Sequence, residues 1–199
     1  MAGAHRVACS EPTPGLVLRP LRAADLSAVL AIQREAYGEG YQESAAVLGR
    51  KVELAPRACW VAHLHARAVG YVLAHPWDGA DAPLLHAMLP ALPAVADRCF
   101  IHDLAVVPAA RGLGVAAALL ACVRGWSRAA CHSGMRLVAL ADAVPFWVRQ
   151  GFRVLPAVLP AAYGEGACLM EQPLMEQQVP APQINRPIAA STTRLAPDG

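Results

Sequence analysis

Two neighbouring features of the chain combine residue types and spacing that suit chemistry. In the stretch HDLAVVPAARGLGVAAALLACV, residues 102–123, an apolar run ends at Pro108 and is followed by Arg111, Gly112, Gly114 and a long Ala/Leu-rich segment. Glycines at the start of a helix leave bare backbone amides facing outward, and such amides grip anions. Gly112 and Gly114 would let a phosphate approach the main chain, with Arg111 beside it as a charge. The plain alternative is a tight turn that starts a helix. GLGVAA, residues 112–117, also satisfies the dinucleotide pattern G-x-G-x-x-A. In dinucleotide folds, however, the glycines follow the strand at once and further βαβ units come after. Here PAAR intervenes. Val115 and Ala116 stand where a P-loop needs Lys and Ser or Thr, which argues against triphosphate hydrolysis.

The second feature is His102, on the apolar run that leads into this loop. Period two puts it on the face of Phe100 and Leu104 and sends Asp103 to the opposite face, in a structural role. Imidazole exchanges a proton close to neutral pH, so His102 is a candidate to accept one. The other histidines (5, 63, 65, 75, 86 and 132) form no ligand-spaced cluster, and no metal site is expected. Earlier in the chain, AYGEGYQES (36–44) gathers Tyr37, Tyr41 and Glu43. Aromatics and carboxylates together suit a cationic amine.

Composition bounds the possibilities. The 199 residues suffice for one full-sized core, and 56% hydrophobic against 16% charged residues predicts that most of the chain folds. The formal charge is +2, and the basic residues are scattered and almost all Arg, Lys51 being the only Lys. That gives no case for a nucleic-acid surface, and none is expected. The 6 cysteines form no C-x-x-C pair and fit reduced thiols in a cytoplasmic protein. No apolar leader is read at the N-terminus. The longest charge-free apolar stretch, residues 82–96, holds three prolines and is too short to span a bilayer.

The elements that must position these residues follow from periodicity. Residues 1–14 read as a flexible arm, 15–175 as one domain and 176–199 as a disordered Pro-rich tail. LVLRPL is a strand. Asp25 opens an amphipathic helix through RAADLSAVLAIQREAY, and ESAAVLGRKVEL is a second, shorter helix. ACWVAHLH and AVGYVLAHPW form an antiparallel hairpin. Residues 78–97 are a surface excursion with one helical turn over Leu84–Leu89. RCFIHDLAVV is a strand, a helix runs from about Gly112 to Ala129, and MRLVALA is the next strand. VPFWVRQ is a short helix capped by Gly151, and FRVLPAVL and ACLMEQPL are the last strands. The result is a mixed α/β domain, a single sheet flanked by helices with an antiparallel first half.

RGLGVA resembles the (Q/R)-x-x-G-x-(G/A) motif of the GNAT superfamily of N-acetyltransferases, and PFWVRQGF (145–152) resembles its second motif, F-Y-x-x-x-G-F. The likeness covers roughly Leu16 to Leu174, and its wording is most similar to arylalkylamine N-acetyltransferases and their bacterial relatives. It implies the GNAT fold, acetyl-CoA as cosubstrate and transfer to a primary amine of a small molecule or a protein. By the same resemblance the amides of Leu113, Gly114, Val115 and Ala116, with Arg111 and Gly112, hold the pyrophosphate. Leu104, Ala105 and Val106 line the pantetheine arm, and Phe146 lies beside it. His102 becomes the general base, an amide near Leu104 or Ala105 the oxyanion donor, and Tyr37, Tyr41 and Glu43 the acceptor site. Two positions depart from the pattern. Phe100 stands where many relatives have Glu or His. Trp147 stands where they have a Tyr that serves the CoA sulfur, and an indole can donate a hydrogen bond but cannot act as an acid. Tyr163 is a substitute. These departures keep a second reading open, a non-catalytic acyl-CoA binding module. A dinucleotide oxidoreductase is the third. A monomer or homodimer is expected.

Overall fold

Val, Leu, Ala and aromatic residues gather in short runs bounded by Gly, Pro and Asp, and the runs become strands. The computed structural model describes residues 13–79 and 81–174. Its elements, in chain order, are β1 (Leu16–Pro20), α1 (Leu26–Ala36), α2 (Ala45–Leu54), β2 (Trp60–Leu64), β3 (Arg67–Trp77), β4 (Arg98–Val106), α3 (Val115–Ala129), β5 (Gly134–Ala139), α4 (Val144–Arg149), β6 (Arg153–Val154) and β7 (Cys168–Pro173). The strands form one seven-stranded sheet in the order β1-β2-β3-β4-β5-β7-β6. Of its pairs only β4–β5 is parallel. A dinucleotide fold needs a run of parallel strands, so that reading is ruled out by topology.

Helices α1, α2 and α3 pack against the central strands. Leu48 of α2, Leu119 and Leu120 of α3, Leu73 of β3 and Met135 of β5 are fully enclosed in one core. Local signals account for the helix starts. Asp25 takes the Arg22 amide at 2.8 Å and a two-pronged contact from Arg19 at 2.6 and 2.7 Å, just ahead of α1. Ser44 accepts the Val47 amide at 3.3 Å and caps α2.

Three expectations change. The helix after the glycines starts at Val115, because Gly112 (φ +80) and Gly114 (φ +76) are left-handed and cannot be helical. Residues 84–89 form no helix but a single hydrogen-bonded turn, Ala87 N to Leu84 O at 3.4 Å, with His86 left-handed at φ +64. The strand expected over FRVLPAVL shrinks to Arg153–Val154, since Pro156 follows closely and cannot supply a ladder amide. Gly151 (φ +88) does end α4. Among the described residues five cysteines are unpaired and no helix is long and apolar enough to cross a membrane. Cys9, residues 1–12 of the expected arm and the whole expected tail lie outside the described residues.

Candidate active site

The site begins where the parallel pair comes apart. β4 and β5 are in register from Arg98↔Gly134 to Ile101↔Leu137, after which β4 continues to Val106 beside β3 but without β5. The Val107 amide donates to Val69 O at 2.9 Å. Bonding alternates along an antiparallel strand, so Ala105 also bonds toward β3, while Leu104 and Val106 turn their amides and carbonyls to the opening. The Tyr37 hydroxyl lies 2.9 Å from Leu104 O, and Arg111 Nε lies 3.4 Å from Val106 O. Beyond β4, a turn over Pro108–Ala110 leads into Arg111, Gly112, Leu113 and Gly114. A Cβ on Gly112 or Gly114 would meet nothing closer than 3.6 Å. Backbone conformation, not space, therefore requires glycine here. The Thr13 hydroxyl donates to Leu113 O at 2.6 Å and steadies the loop. Ala118 N is bonded to Gly114 O, which leaves the amides of Val115, Ala116 and Ala117 without helical partners at the mouth of the opening.

A cavity of about 660 Å³ runs from these amides to His102. On β4 His102 is an extra residue: Ile101 pairs with Ala74 and Asp103 with Leu73, so nothing opposes His102. This β-bulge breaks the two-residue alternation and brings His102 and Asp103 to the same cavity. His102 Nε2 is 2.6 Å from Glu43 Oε2, and Lys51 Nζ is 3.5 Å from that same oxygen. All three side chains are buried, with 2–3% exposure. The other Glu43 oxygen accepts the His86 amide at 2.7 Å. Burial alone would raise the Glu43 carboxyl. The His102 bond and charge, Lys51 and the His86 amide outweigh it and hold the group at about 2. The Glu43 backbone is clamped as well: buried Gln33 of α1 donates to Glu43 O at 2.9 Å and accepts from Glu43 N at 3.0 Å. Asp103 accepts the hydroxyls of Tyr37, at 2.7 Å, and of Tyr71. Burial pushes its carboxyl up against those two bonds.

The Acetyltransferase (GNAT) family profile matches residues 26–152, from the start of α1 through Phe152. The chain belongs to this family. Among curated proteins no relative matches it. Among solved structures, Ard1 from Thermoplasma volcanium is 19% identical over 81% of this chain and 99% of its own, with a TM-score of 0.66. The GNAT-like decarboxylase GphF, solved with isobutyryl-CoA, is 19% identical over 80% of this chain and 100% of its own, at 0.68. The ribosomal-protein-S18-alanine N-acetyltransferase of Escherichia coli is 15% identical over 80% and 94%, at 0.58. These likenesses establish the GNAT fold. That fold serves a decarboxylase as well as acetyltransferases, so the reaction must be argued from the site itself.

The GNAT domain brings most of the candidate residues to one cavity. Tyr37, Tyr41, Glu43, His102, Leu104, Ala105, Val106, Arg111, Gly112, Gly114, Val115, Ala116, Phe146 and Trp147 all line it, whereas Leu113 does not line it and is exposed. Asp103 lines it too, contrary to its expected place on the opposite face. Ala105 turns its backbone toward β3, away from the gap. Glu43 is engaged by His102, Lys51 and His86 and presents no unpaired charge. Trp147 is buried edge-on against Phe146 and Phe152 and shapes the wall. Tyr163 also lines the cavity, but it donates its proton to Pro83 O, and burial with the nearby Glu43 charge pushes it to about 12. Sequence reasoning passed over Gln33, Lys51 and His86. Lys51 carried one signal, as the single lysine among 17 basic residues. Gln33 and His86 carried none.

Proposed function

We propose that the protein is a cytoplasmic N-acetyltransferase that moves the acetyl group of acetyl-CoA to a primary amine, of a small molecule or a protein, by direct attack. The observation that carries this reading is the single cavity joining an anion-ready helix start to a buried His–Glu pair. Bound acetyl-CoA supplies the thioester carbonyl that the amine attacks. The positive-φ glycines and free amides from Leu113 to Ala116, with Arg111, suit its pyrophosphate. The unaccompanied edge at Leu104 and Val106 suits the amides of its pantetheine arm.

The Glu43 carboxylate can only accept, so Nε2 of neutral His102 carries the hydrogen and Nδ1 keeps its lone pair. His102 thus stands as general base, taking the amine's proton directly or through one water. The Leu104 amide, turned into the opening, donates to the oxygen that becomes negative during attack. A thiol with a pKa near ~8.5 leaves without an obligatory acid, which tolerates Trp147 at the usual Tyr position.

A panel of amines with acetyl-CoA, read by mass, tests the reading. At least one amine should gain an acetyl group, and His102→Ala should lower kcat at least ~100-fold while leaving acetyl-CoA affinity nearly intact. A protein that binds acetyl-CoA but acetylates no amine overturns it in favour of a binding module. Trp147 and the committed proton of Tyr163 are the observations on that side.

A further inference from the structure

We infer that Lys51 is a positioning residue for the base: its buried ammonium, set against the Glu43 oxygen that His102 bonds, keeps the His102 imidazole neutral and able to accept a proton. The inference rests on reading His102 as the base.

The argument is one of charge in a dry place. A histidine bonded to a lone buried carboxylate gains strongly by becoming imidazolium, and a base that already holds its proton is useless. Lys51 cancels that gain. With Lys51 and Glu43 opposed, the cluster is neutral when His102 is neutral, and protonating His102 would leave an uncompensated positive charge. Nearby titratable groups do not supply the same balance. His75 of β3, its ring centroid 6.4 Å from that of His102, is pushed down to about 4 by burial and adds no charge at working pH. Burial holds Tyr71 of β3 and Tyr163 in their neutral forms, and it raises the Asp103 carboxyl of β4 against the hydroxyls of Tyr71 and Tyr37 that Asp103 accepts. The His86 ring faces Gly40 O at 3.0 Å, and only its main-chain amide meets Glu43.

Stability gives no reason for the residue. An ammonium with 2% exposure is costly to bury, and an apolar side chain of similar volume often does as well or better. Burial pulls Lys51 below the usual lysine range, and the Glu43 carboxylate, 3.5 Å from its Nζ, offsets part of that pull. Every other basic residue of the chain is Arg. The compact point charge of lysine fits where a planar guanidinium, reaching for bidentate bonds, would compete with His102 for the carboxylate.

The test is NMR titration of the His102 ring, assigned by its absence in His102→Gln, in the wild type and in Lys51→Met. The midpoint should rise by about one pH unit or more in Lys51→Met, and the acidic limb of kcat/KM for the amine should move up with it. KM for acetyl-CoA should stay the same. A merely structural Lys51 would lower the melting temperature or kcat without moving the midpoint. An unmoved or lowered midpoint in a folded variant overturns the inference. Lys51→Gln gives the same comparison if the Met variant does not fold. The wild type alone also decides: a His102 ring still charged at neutral pH overturns it outright. The ring titration needs no turnover, so a failure of the acetyltransferase reading shows separately, in the amine panel.

Discussion

Glu43 joins the link between α1 and α2 to His102 of β4, the base of the proposed chemistry. Its carboxyl is held at about 2, against a burial effect that would raise it, by His102, Lys51 and the His86 amide. A carboxyl depressed in the folded state contributes stability that is fully present above its unfolded value, near ~4.5, and is lost as pH falls through its folded value. Wild-type protein should therefore lose this contribution between about pH 4.5 and pH 2. Glu43→Gln, which cannot titrate, should show a flatter melting temperature across that window and a lower kcat above it. Parallel acid limbs of the two melting curves would count against the pairing. Glu43 also shows what residue type alone conveys. Beside Tyr37 and Tyr41 in the chain it reads as a partner for a cationic acceptor. That its charge is already taken depends on residues from α2, β4 and the excursion between β3 and β4, which no local window contains.

The link between α1 and α2 acts as a bracket that delivers Glu43 to the bulge on β4. Gln33, 1% exposed, makes both of its hydrogen bonds to the Glu43 main chain. Gln33→Leu keeps the volume but strands a buried donor and a buried acceptor, at about 1–3 kcal/mol each. The expected result is a loss of roughly 2–6 kcal/mol in urea unfolding, with kcat reduced more than KM for acetyl-CoA. Unchanged stability would mean that the bracket is not needed. The strands, α1, α2 and the helix after the glycines were legible because their periodicity is local and strong. The bulge at His102 was not. It arises because β3 and β4 must match register on both sides of Leu73 and Ala74, a demand that neither strand carries alone. Alternation along β4 accordingly sent Asp103 to the wrong face.

Taken together, the molecule is a sheet whose one parallel pair separates over its second half, and the cavity is that separation. A ligand that binds only the folded protein stabilises it by ~2.7 kcal/mol at one hundred times its dissociation constant. Acetyl-CoA should raise the melting temperature by several degrees on this account, and NAD should leave it unchanged. A shift with NAD and none with acetyl-CoA would sink the assignment of the loop. That loop was readable in advance, since glycine pairs, proline and a following helix act over short stretches of chain whatever surrounds them. So were family membership and the candidacy of His102. The partners of His102 were hidden, because the Glu43–His102–Lys51 cluster draws on α2, the link before it and β4. Residues far apart in sequence come within hydrogen-bond distance there only once the core has closed. A pattern along one chain records which side chains are present, whereas burial and proximity, which set their charge, are properties of the packed whole.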